Sequence, residues 1–336
     1  MSPKVSVLLP VYNASRYLKS SVQSILDQTF TDFECIIIND GSSDNSAEIL
    51  KTFSDKRLVI KHHDKNYGIV ACLNEGLENA NGEYIARMDA DDVSLPERIT
   101  EQVNCLNDHP ETGVCTVDYN IIRNGLVSKS NTWFESRDLL TLLLFNSPVC
   151  HPASMFRKSV LNKSNIKYYN TFKHAEDYHF WVQLSSQTQF CIIKKKLFLY
   201  RIHDKQISEI KKKEQQESGN NIRGLMLKNW RIRFEKADLE IHNKIGNNVR
   251  LGTKSELIQA KNWLEKLVLQ NGQDNLFPVF EFNRVIGKMW LDICGNTSIG
   301  LVSFLEFQNS KLTQYFPIKF GAKLMLMLKC LMRIKF

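Results

Sequence analysis

The chain has 336 residues, enough for one large domain with an extension or for two domains. With 43% hydrophobic and 24% charged residues it has the composition of a folded protein, which excludes wholesale disorder. The net charge of +8 is unevenly spread: residues 1–120 carry 10 Lys+Arg against 19 Asp+Glu, and residues 121–336 carry 34 against 17. An acidic first part points to a small-molecule or metal site, and a basic remainder to an anionic surface such as a membrane or nucleic acid. The eight cysteines form no CxxC motif, and several lie in apolar runs, as Cys35 does in FECIII. They read as buried free thiols of a reducing compartment. The run VSVLL before Pro10 is too short for a signal-peptide core or a membrane span, so the expected location is the cytosol.

In chain order, Val5–Leu9 reads as a buried strand stopped by Pro10. Tyr17–Gln28 reads as a helix with Tyr17, Leu18, Val22, Ile25 and Leu26 at helical spacing. Phe33–Ile38 is a second strand, ending in NDGSSD (Asn39–Asp44), whose residues are turn and N-cap types before a helix over Ser46–Phe53. Leu58–His62 is a third, weaker strand that opens onto DKNYG (Asp64–Gly68) and a helix over Ile69–Asn79. Tyr84–Met88 is the fourth strand, Pro96 and Glu97 begin another helix, and Val114–Val117 is a fifth strand. Successive strand–loop–helix units predict a parallel α/β sheet. Right-handed crossovers then gather the loops PVYN (Pro10–Asn13), NDGSSD, DKNYG and DADD (Asp89–Asp92) on one edge.

Residues 119–205 are less regular, with a hairpin or loop at Asn120–Ser130, a helix at Arg137–Phe145, a helix from Ala175 and a strand at Phe190–Ile193. Beyond Asp204 the chain turns lysine-rich and helical. KKKEQQE reads as a linker or exposed helix, followed by helices at Ile222–Phe234, Ser255–Leu269 and Phe280–Cys294. The expected division is a domain over 1–205 and a helical extension over 206–336. In Pro317–Phe336, Lys319, Lys323, Lys329 and Arg333 gather on one side of a helical wheel and leave a broad Leu/Met/Phe/Ile face. Such a helix lies on an anionic membrane surface or packs on its own domain.

The chemistry is concentrated in GEYIARMDADD (Gly82–Asp92), where a short apolar run ends in Asp89, Asp91 and Asp92. Crowded carboxylates need a cation, an arginine or open water. A hard divalent cation shared with a phosphorylated substrate meets that need, and a solvated acidic turn is the alternative.

The ordered set PVYN, NDGSSD, NYG (Asn66–Gly68), LNEG (Leu73–Gly76), GEYIARMDADD and HAEDYHFW (His174–Trp181) resembles the family 2 glycosyltransferases over about residues 4–205. The resemblance implies the GT-A fold: an α/β, Rossmann-like, mostly parallel sheet flanked by helices, here with a helical C-terminal extension. It also implies an inverting enzyme that moves a sugar from a nucleoside diphosphate-sugar, with Mn²⁺ or Mg²⁺ as cofactor. Donor contacts fall on Pro10, Val11, Tyr12 and Asn13, on Asp40 for the base or ribose, on Asn66 and Gly68, and on Arg87, Asp89, Ala90 and Asp91. Asp91 is implied as the metal ligand bridging to the diphosphate and Asp89 as its partner. His203 of YRIH is a further group reaching the metal or diphosphate, whereas Asp92 reads as a cap for the next helix. Asp177 matches the base that takes the proton of the attacking acceptor hydroxyl, with Glu176 and His151 on the acceptor side.

The family commonly builds surface polysaccharides such as capsule, O-antigen or lipopolysaccharide. The expected acceptor is therefore a glycan or lipid-linked glycan, met at the cytoplasmic face of the inner membrane, with residues 317–336 on anionic lipid. The rival reading is a catalytically inactive, glycosyltransferase-like binding module. Other classes fail at definite places. DADDV also fits the aspartate-phosphatase nucleophile motif, which belongs on a first strand rather than a fourth. An EF-hand loop would need glycine where Ser94 stands and glutamate where Thr100 stands. PVYNASR lacks the glycines of a nucleotidyltransferase loop, and no zinc, RRM or helix-turn-helix signature supports nucleic-acid binding.

Overall fold

A computed structural model describes residues 2–130, 132–204, 206 and 210–332. Among them are strands β1 (Val5–Val11), β2 (Phe33–Asn39), β3 (Leu58–His62), β4 (Tyr84–Arg87), β5 (Val93–Ser94), β6 (Thr112–Arg123), β7 (Leu126–Lys129), β8 (Ser154–Arg157) and β9 (Gln189–Ile202). The first helices are α1 (Leu18–Leu26), α2 (Ser46–Lys51), α3 (Ile69–Asn79), α4 (Arg98–Asp108), α5 (Leu139–Leu143), α6 (Lys158–Ser164) and α7 (Glu176–Ser185). After them come α8 (Lys212–Asn229), α9 (Lys236–Gly246), α10 (Lys254–Asp274), α11 (Val279–Gly295), α12 (Leu301–Asn309) and α13 (Phe320–Met332). The chain divides into two compact units, Met1–Ser136 with Ser147–Ser218, and Arg137–Asn146 with Gly219–Phe336.

The first unit is built on one sheet of order β3-β2-β1-β4-β8-β6-β9-β5, with β7 paired to β6. β3, β2, β1 and β4 are mutually parallel, as the strand–loop–helix pattern predicts. β1 and β2 read as nearly unbroken apolar runs because helices cover both faces of a parallel sheet. β8 enters antiparallel between β4 and β6, which leaves β6 running in the direction of β4 and parallel to β9.

Two expectations need correction. Pro10 does not stop β1, which continues to Val11. Residues on alternate sides of a parallel strand bond to alternate neighbours, and Leu8 already bonds toward β4 through Met88 N. The missing N–H of Pro10 therefore faces β4 beyond its last ladder pair, Leu8 with Arg87, and costs no ladder bond. The strand expected at Phe190–Ile193 instead spans Gln189–Ile202. Its register with β6 shifts around Val117–Tyr119, a bulge that takes Lys194–Lys196 off the apolar alternation. Lys196 there pairs with Asp118 at 3.1 Å. The extra length carries Arg201 and His203 to the site.

The second unit is helical. Its core includes Leu257, Trp263, Leu264, Phe282, Ile286 and Trp290, and α9 and α10 both begin with capping boxes. No helix among the described residues is long and apolar enough to cross a membrane. In α13, Leu326 and Cys330 are buried, with Cys330 Sγ against Cys294 O. The opposite face leaves Phe320, Leu324, Met325, Leu328, Leu331 and Met332 exposed, Phe320 by 82%. Arg333, the fourth cation of the expected basic face, lies outside the described residues.

Candidate active site

The loops at the carboxyl ends of the parallel strands do converge. Asn13 sits at φ 50°, a left-handed conformation that asparagine tolerates, and its Oδ1 accepts Ser43 N at 2.9 Å. Its own amide donates to Ser42 Oγ at 3.0 Å, and Ser15 N donates to Asp44 Oδ2 at 2.9 Å, so PVYN and NDGSSD are laced together. Asp44 also accepts Ser46 N at 2.9 Å; burial pushes its carboxyl up, but these bonds outweigh it and hold the pKa at about 2.

Asp40 joins NDGSSD to DKNYG. Its oxygens accept Tyr67 N at 2.9 Å, Gly68 N at 2.8 Å, His63 Nδ1 at 2.7 Å and the Cys72 thiol. A carboxylate has about four acceptor positions, so Asp40 is fully engaged in holding the glycine loop. Burial opposes its ionisation, and the amide and imidazole donors overcome that and lower its pKa. His63 gives its other nitrogen to Glu75 Oε2 at 2.7 Å, and the bond to Asp40, with Glu75 in support, raises its pKa. Gly41 is required here. It has φ 62°, and a Cβ would lie 2.4 Å from Lys65 C.

The acidic loop lies beyond β4. Arg87 is buried, donates to Leu8 O at 3.2 Å and to Met88 O, and pairs with Asp89 Oδ1 at 2.6 Å. Arg98, also buried, braces the same place from α4 by donating to Arg87 O at 2.6 Å and Ser154 O at 3.2 Å. Ser21 Oγ donates to Asp89 O at 2.8 Å, which ties in α1. Asp91 Oδ2 meets His203 Nε2 at 2.9 Å, and Arg201 Nε donates to Asp91 O at 2.6 Å. Asp92 does not cap α4, which begins after Glu97 without a side-chain cap. Its Oδ1 instead accepts Arg201 N at 2.7 Å from β9, because the loop turns Asp92 inward.

Burial and then the neighbouring Asp89 charge raise the pKa of Asp91, and burial with both neighbours raises Asp92 well above the usual range. One oxygen from each of Asp89, Asp91 and Asp92 lies within 4.8 Å of the others, and Asp92 Oδ2 is buried without a donor among the described residues. An orphaned carboxylate oxygen beside two more carboxylates is a donor set that fits a hard divalent cation.

Asp177 and Glu176 open α7, where the helix N-terminus favours negative charge. Asp177 Oδ1 accepts Tyr178 N at 2.7 Å. Burial nonetheless lifts Asp177 to about 6, and burial with the charge of Asp177 lifts Glu176 to about 7. Asp89 pushes both upward and Arg87 pulls both down, so the α7 pair and the acidic loop lie within electrostatic reach. His151 Nε2 meets Tyr168 OH at 2.9 Å, and burial, then the Arg87 charge, keeps the imidazole neutral. Asn74 grips Tyr168 from α3 by bonding to both its backbone N and O at 3.0 Å.

Of the expected donor residues, Tyr12 and Asn66 are exposed at the loop tips, while Val11 and Ala90 bury their side chains in the core and can meet a ligand only through backbone. Sequence reasoning missed His63, Glu75, Arg201, Arg98 and Tyr168. The HHD run at the end of β3 was the one available signal for His63.

The family model for Glycosyl transferase family 2 matches residues 6–164. The chain is 32% identical over 266 residues to an uncharacterised glycosyltransferase of Haemophilus influenzae, an overlap of 74% of this chain and 79% of that protein. Its structure is similar to that of S. aureus TarS 1–349 in complex with UDP-GlcNAc, with TM-score 0.57, 17% identity and coverage of 93% of this chain and 89% of that one. It is also similar to the mannosyltransferase PcManGT of Pyrobaculum calidifontis in complex with GDP-Man and Mn²⁺, with TM-score 0.55, 14% identity and coverage of 93% and 88%. At such identities the two solved structures speak for the fold, which is GT-A. By sequence and fold together, the chain belongs to glycosyl transferase family 2 and is a glycosyltransferase.

Proposed function

We propose that the enzyme transfers its sugar with inversion, from a nucleoside diphosphate-sugar bound at the ends of β1, β2 and β4 to an acceptor hydroxyl beside α7. The observation that carries this reading is Asp177, a carboxylate lifted to about 6 within electrostatic reach of Asp89. Such a group is mostly ionised at neutral pH yet a stronger base than free aspartate. As the acceptor oxygen bonds to the anomeric carbon, the carbon–phosphate oxygen bond breaks. The electron pair leaves with the nucleoside diphosphate, and the acceptor proton passes to Asp177.

Glu176 shares the acceptor side with His151, whose neutral ring is a hydrogen-bonding group and not a charge. PVYN and the loop clamped by Asp40 receive the nucleotide, Tyr12 covering the base. Asp91 with Asp89 and the free Asp92 oxygen would hold Mn²⁺ or Mg²⁺, with His203 beside them. Bound there, the cation supplies Lewis-acid neutralisation of the charge that grows on the departing diphosphate. The UDP-GlcNAc and GDP-Man with Mn²⁺ bound to the two similar structures support this class of donor and cofactor.

The acceptor in this reading is a glycan or lipid-linked glycan of bacterial surface polysaccharide assembly. Residues 317–336 bring the enzyme to the anionic cytoplasmic face of the membrane. The exposed Leu324, Met325, Leu328 and Leu331 with Lys319, Lys323 and Lys329 on α13 and just before it support that placement. Residues 1–205 are the catalytic part in this scheme and 206–336 the extension that positions it.

The test is a panel of nucleotide sugars with Mn²⁺ or Mg²⁺, scored for acceptor-dependent release of nucleoside diphosphate. One donor should stand out. Donor binding without turnover for any acceptor would favour a non-catalytic module.

A further inference from the structure

Outside the donor loops, three thiols meet between α4 and the sheet. Cys105 comes from the second half of α4, Cys115 from β6 and Cys191 from β9, and the last two are direct neighbours in register. Their Sγ atoms lie within 4.8 Å of one another, with Cys105 and Cys191 3.2 Å apart. Cys115 is fully buried, and the other two are half-buried. Nothing in the transfer chemistry uses them.

A disulfide between Cys105 and Cys191 would need its sulfurs at about 2.05 Å, and it would give the enclosed Cys115 no part. A tetrahedral zinc–thiolate centre has bonds of about 2.3 Å, which sets sulfur–sulfur separations of about 3.8 Å. With Cys105 and Cys191 at 3.2 Å and no pair beyond 4.8 Å, small side-chain rotations reach that value. The Cys191 sulfur takes hydrogen bonds from the Cys105 and Cys115 thiols and from Ser136 Oγ, which hold its pKa well below the ordinary thiol value. Thiols give up their protons on binding such a cation, so the three sulfurs offer three thiolate ligands once the metal is bound. A water can complete four ligands at the half-buried side formed by Cys105 and Cys191.

We propose that Cys105, Cys115 and Cys191 form a site for a thiophilic divalent cation, zinc being the physiological occupant. Soft thiolates exclude the hard cation of the Asp89–Asp92 loop, so the two sites sort metals by chemistry. The centre staples α4 to β9. α4 begins just past Asp92, and β9 delivers Arg201 and His203 to Asp91 and Asp92, so the staple braces both sides of the acidic loop.

The experiment titrates the reduced, metal-free full chain with Cd²⁺ in excess Mg²⁺ and follows sulfur-to-cadmium charge-transfer absorption. Wild type should saturate at one equivalent, and Zn²⁺ should displace the band and raise the melting temperature. Cys191→Ser and Cys105→Ser, at half-buried positions, should keep their far-ultraviolet dichroism and lose cadmium affinity by ~100-fold or more. Cys330→Ser should titrate as wild type. The proposal is overturned by a reduced wild type with no band or by a band of equal strength in Cys191→Ser. A Cys105–Cys191 disulfide forming in air in a protein that leaves no cadmium signal would overturn it as well.

Discussion

His203 Nε2 lies 2.9 Å from Asp91 Oδ2, joining the residue beyond β9 to the loop beyond β4. Arg201 strengthens the same junction by donating to Asp91 O and Asp92 Oδ1. The His203 ring thus meets the Asp91 carboxylate and a backbone N–H of β9 meets that of Asp92, which leaves a three-carboxylate donor set that fits a divalent cation. Asp91→Asn should remove the Mn²⁺-dependent part of donor binding, with cation affinity lower by about 10- to 100-fold in calorimetry. His203→Ala should cost less, because all three carboxylates remain. An Asp91→Asn protein with unchanged Mn²⁺ dependence would mean the cation sits elsewhere.

Gly41 and Gly68 border the same loop and differ in kind. Gly41 has both a positive φ and no room, whereas Gly68, at φ 90°, has open space where a Cβ would go. Gly41→Ala should therefore destabilise the protein by about 2–4 kcal/mol and raise the donor KM, because Lys65 and Asn66 must move. Gly68→Ala, at ψ 160°, should cost about 1–3 kcal/mol from backbone strain alone. Thermal melts of the two variants give the comparison directly.

His63 bridges Asp40 and Glu75 as an imidazolium, with its pKa raised above the unfolded value. Its contribution is complete below the unfolded pKa and is lost as pH rises through the folded one. His63→Gln should therefore be less stable than wild type by roughly 1 kcal/mol in mildly acidic buffer, with the gap narrowing in alkaline buffer. Melting curves across that range decide it. A gap that widens with pH would contradict the bridge.

The two faces of α13 separate packing from surface contact. Leu324→Glu with Leu328→Glu changes exposed positions, so the melting temperature should stay within the range of surface substitutions, about 0.5 kcal/mol. Co-sedimentation with anionic vesicles should fall sharply. Leu326→Glu, at a buried position, should destabilise the second unit instead. Unchanged vesicle binding in the double variant would remove the membrane role.

Much of the site was legible because its chemistry sits on short loops between strongly patterned elements. β1 to β4 announced themselves as apolar runs, and their order was enough to bring PVYN, NDGSSD, DKNYG and DADD together. The rest was hidden by contacts that cross many residues. β8 is four residues long, too short for an alternation to register, yet it reverses direction between β4 and β6. The bulge opposite Asp118 puts three lysines inside β9, so its apolar pattern breaks off at Ile193. Asp92 looked like a helix cap from its place before Pro96, and only the approach of Arg201 N shows where it points. The sequence marked Asp40 for the base or ribose, and only the fold shows that its oxygens also hold the glycine loop. The three-thiol cluster was invisible because Cys105, Cys115 and Cys191 have no metal-ligand spacing along the chain.

The most direct test of the account is Asp177→Asn. The folded pKa of Asp177 lies above its unfolded value, so its ionised form costs stability at neutral pH, and that cost disappears below the unfolded pKa. The variant should therefore be more stable than wild type near pH 7 by about 1–3 kcal/mol. Wild-type turnover should fall as pH drops through about 6, the value at which Asp177 takes up its proton. With the identified donor and acceptor, single-turnover transfer by Asp177→Asn should drop by about 100- to 10,000-fold while donor affinity stays at the wild-type value. Transfer at the wild-type rate, with the acidic fall still present, would contradict the assignment of Asp177 as the base.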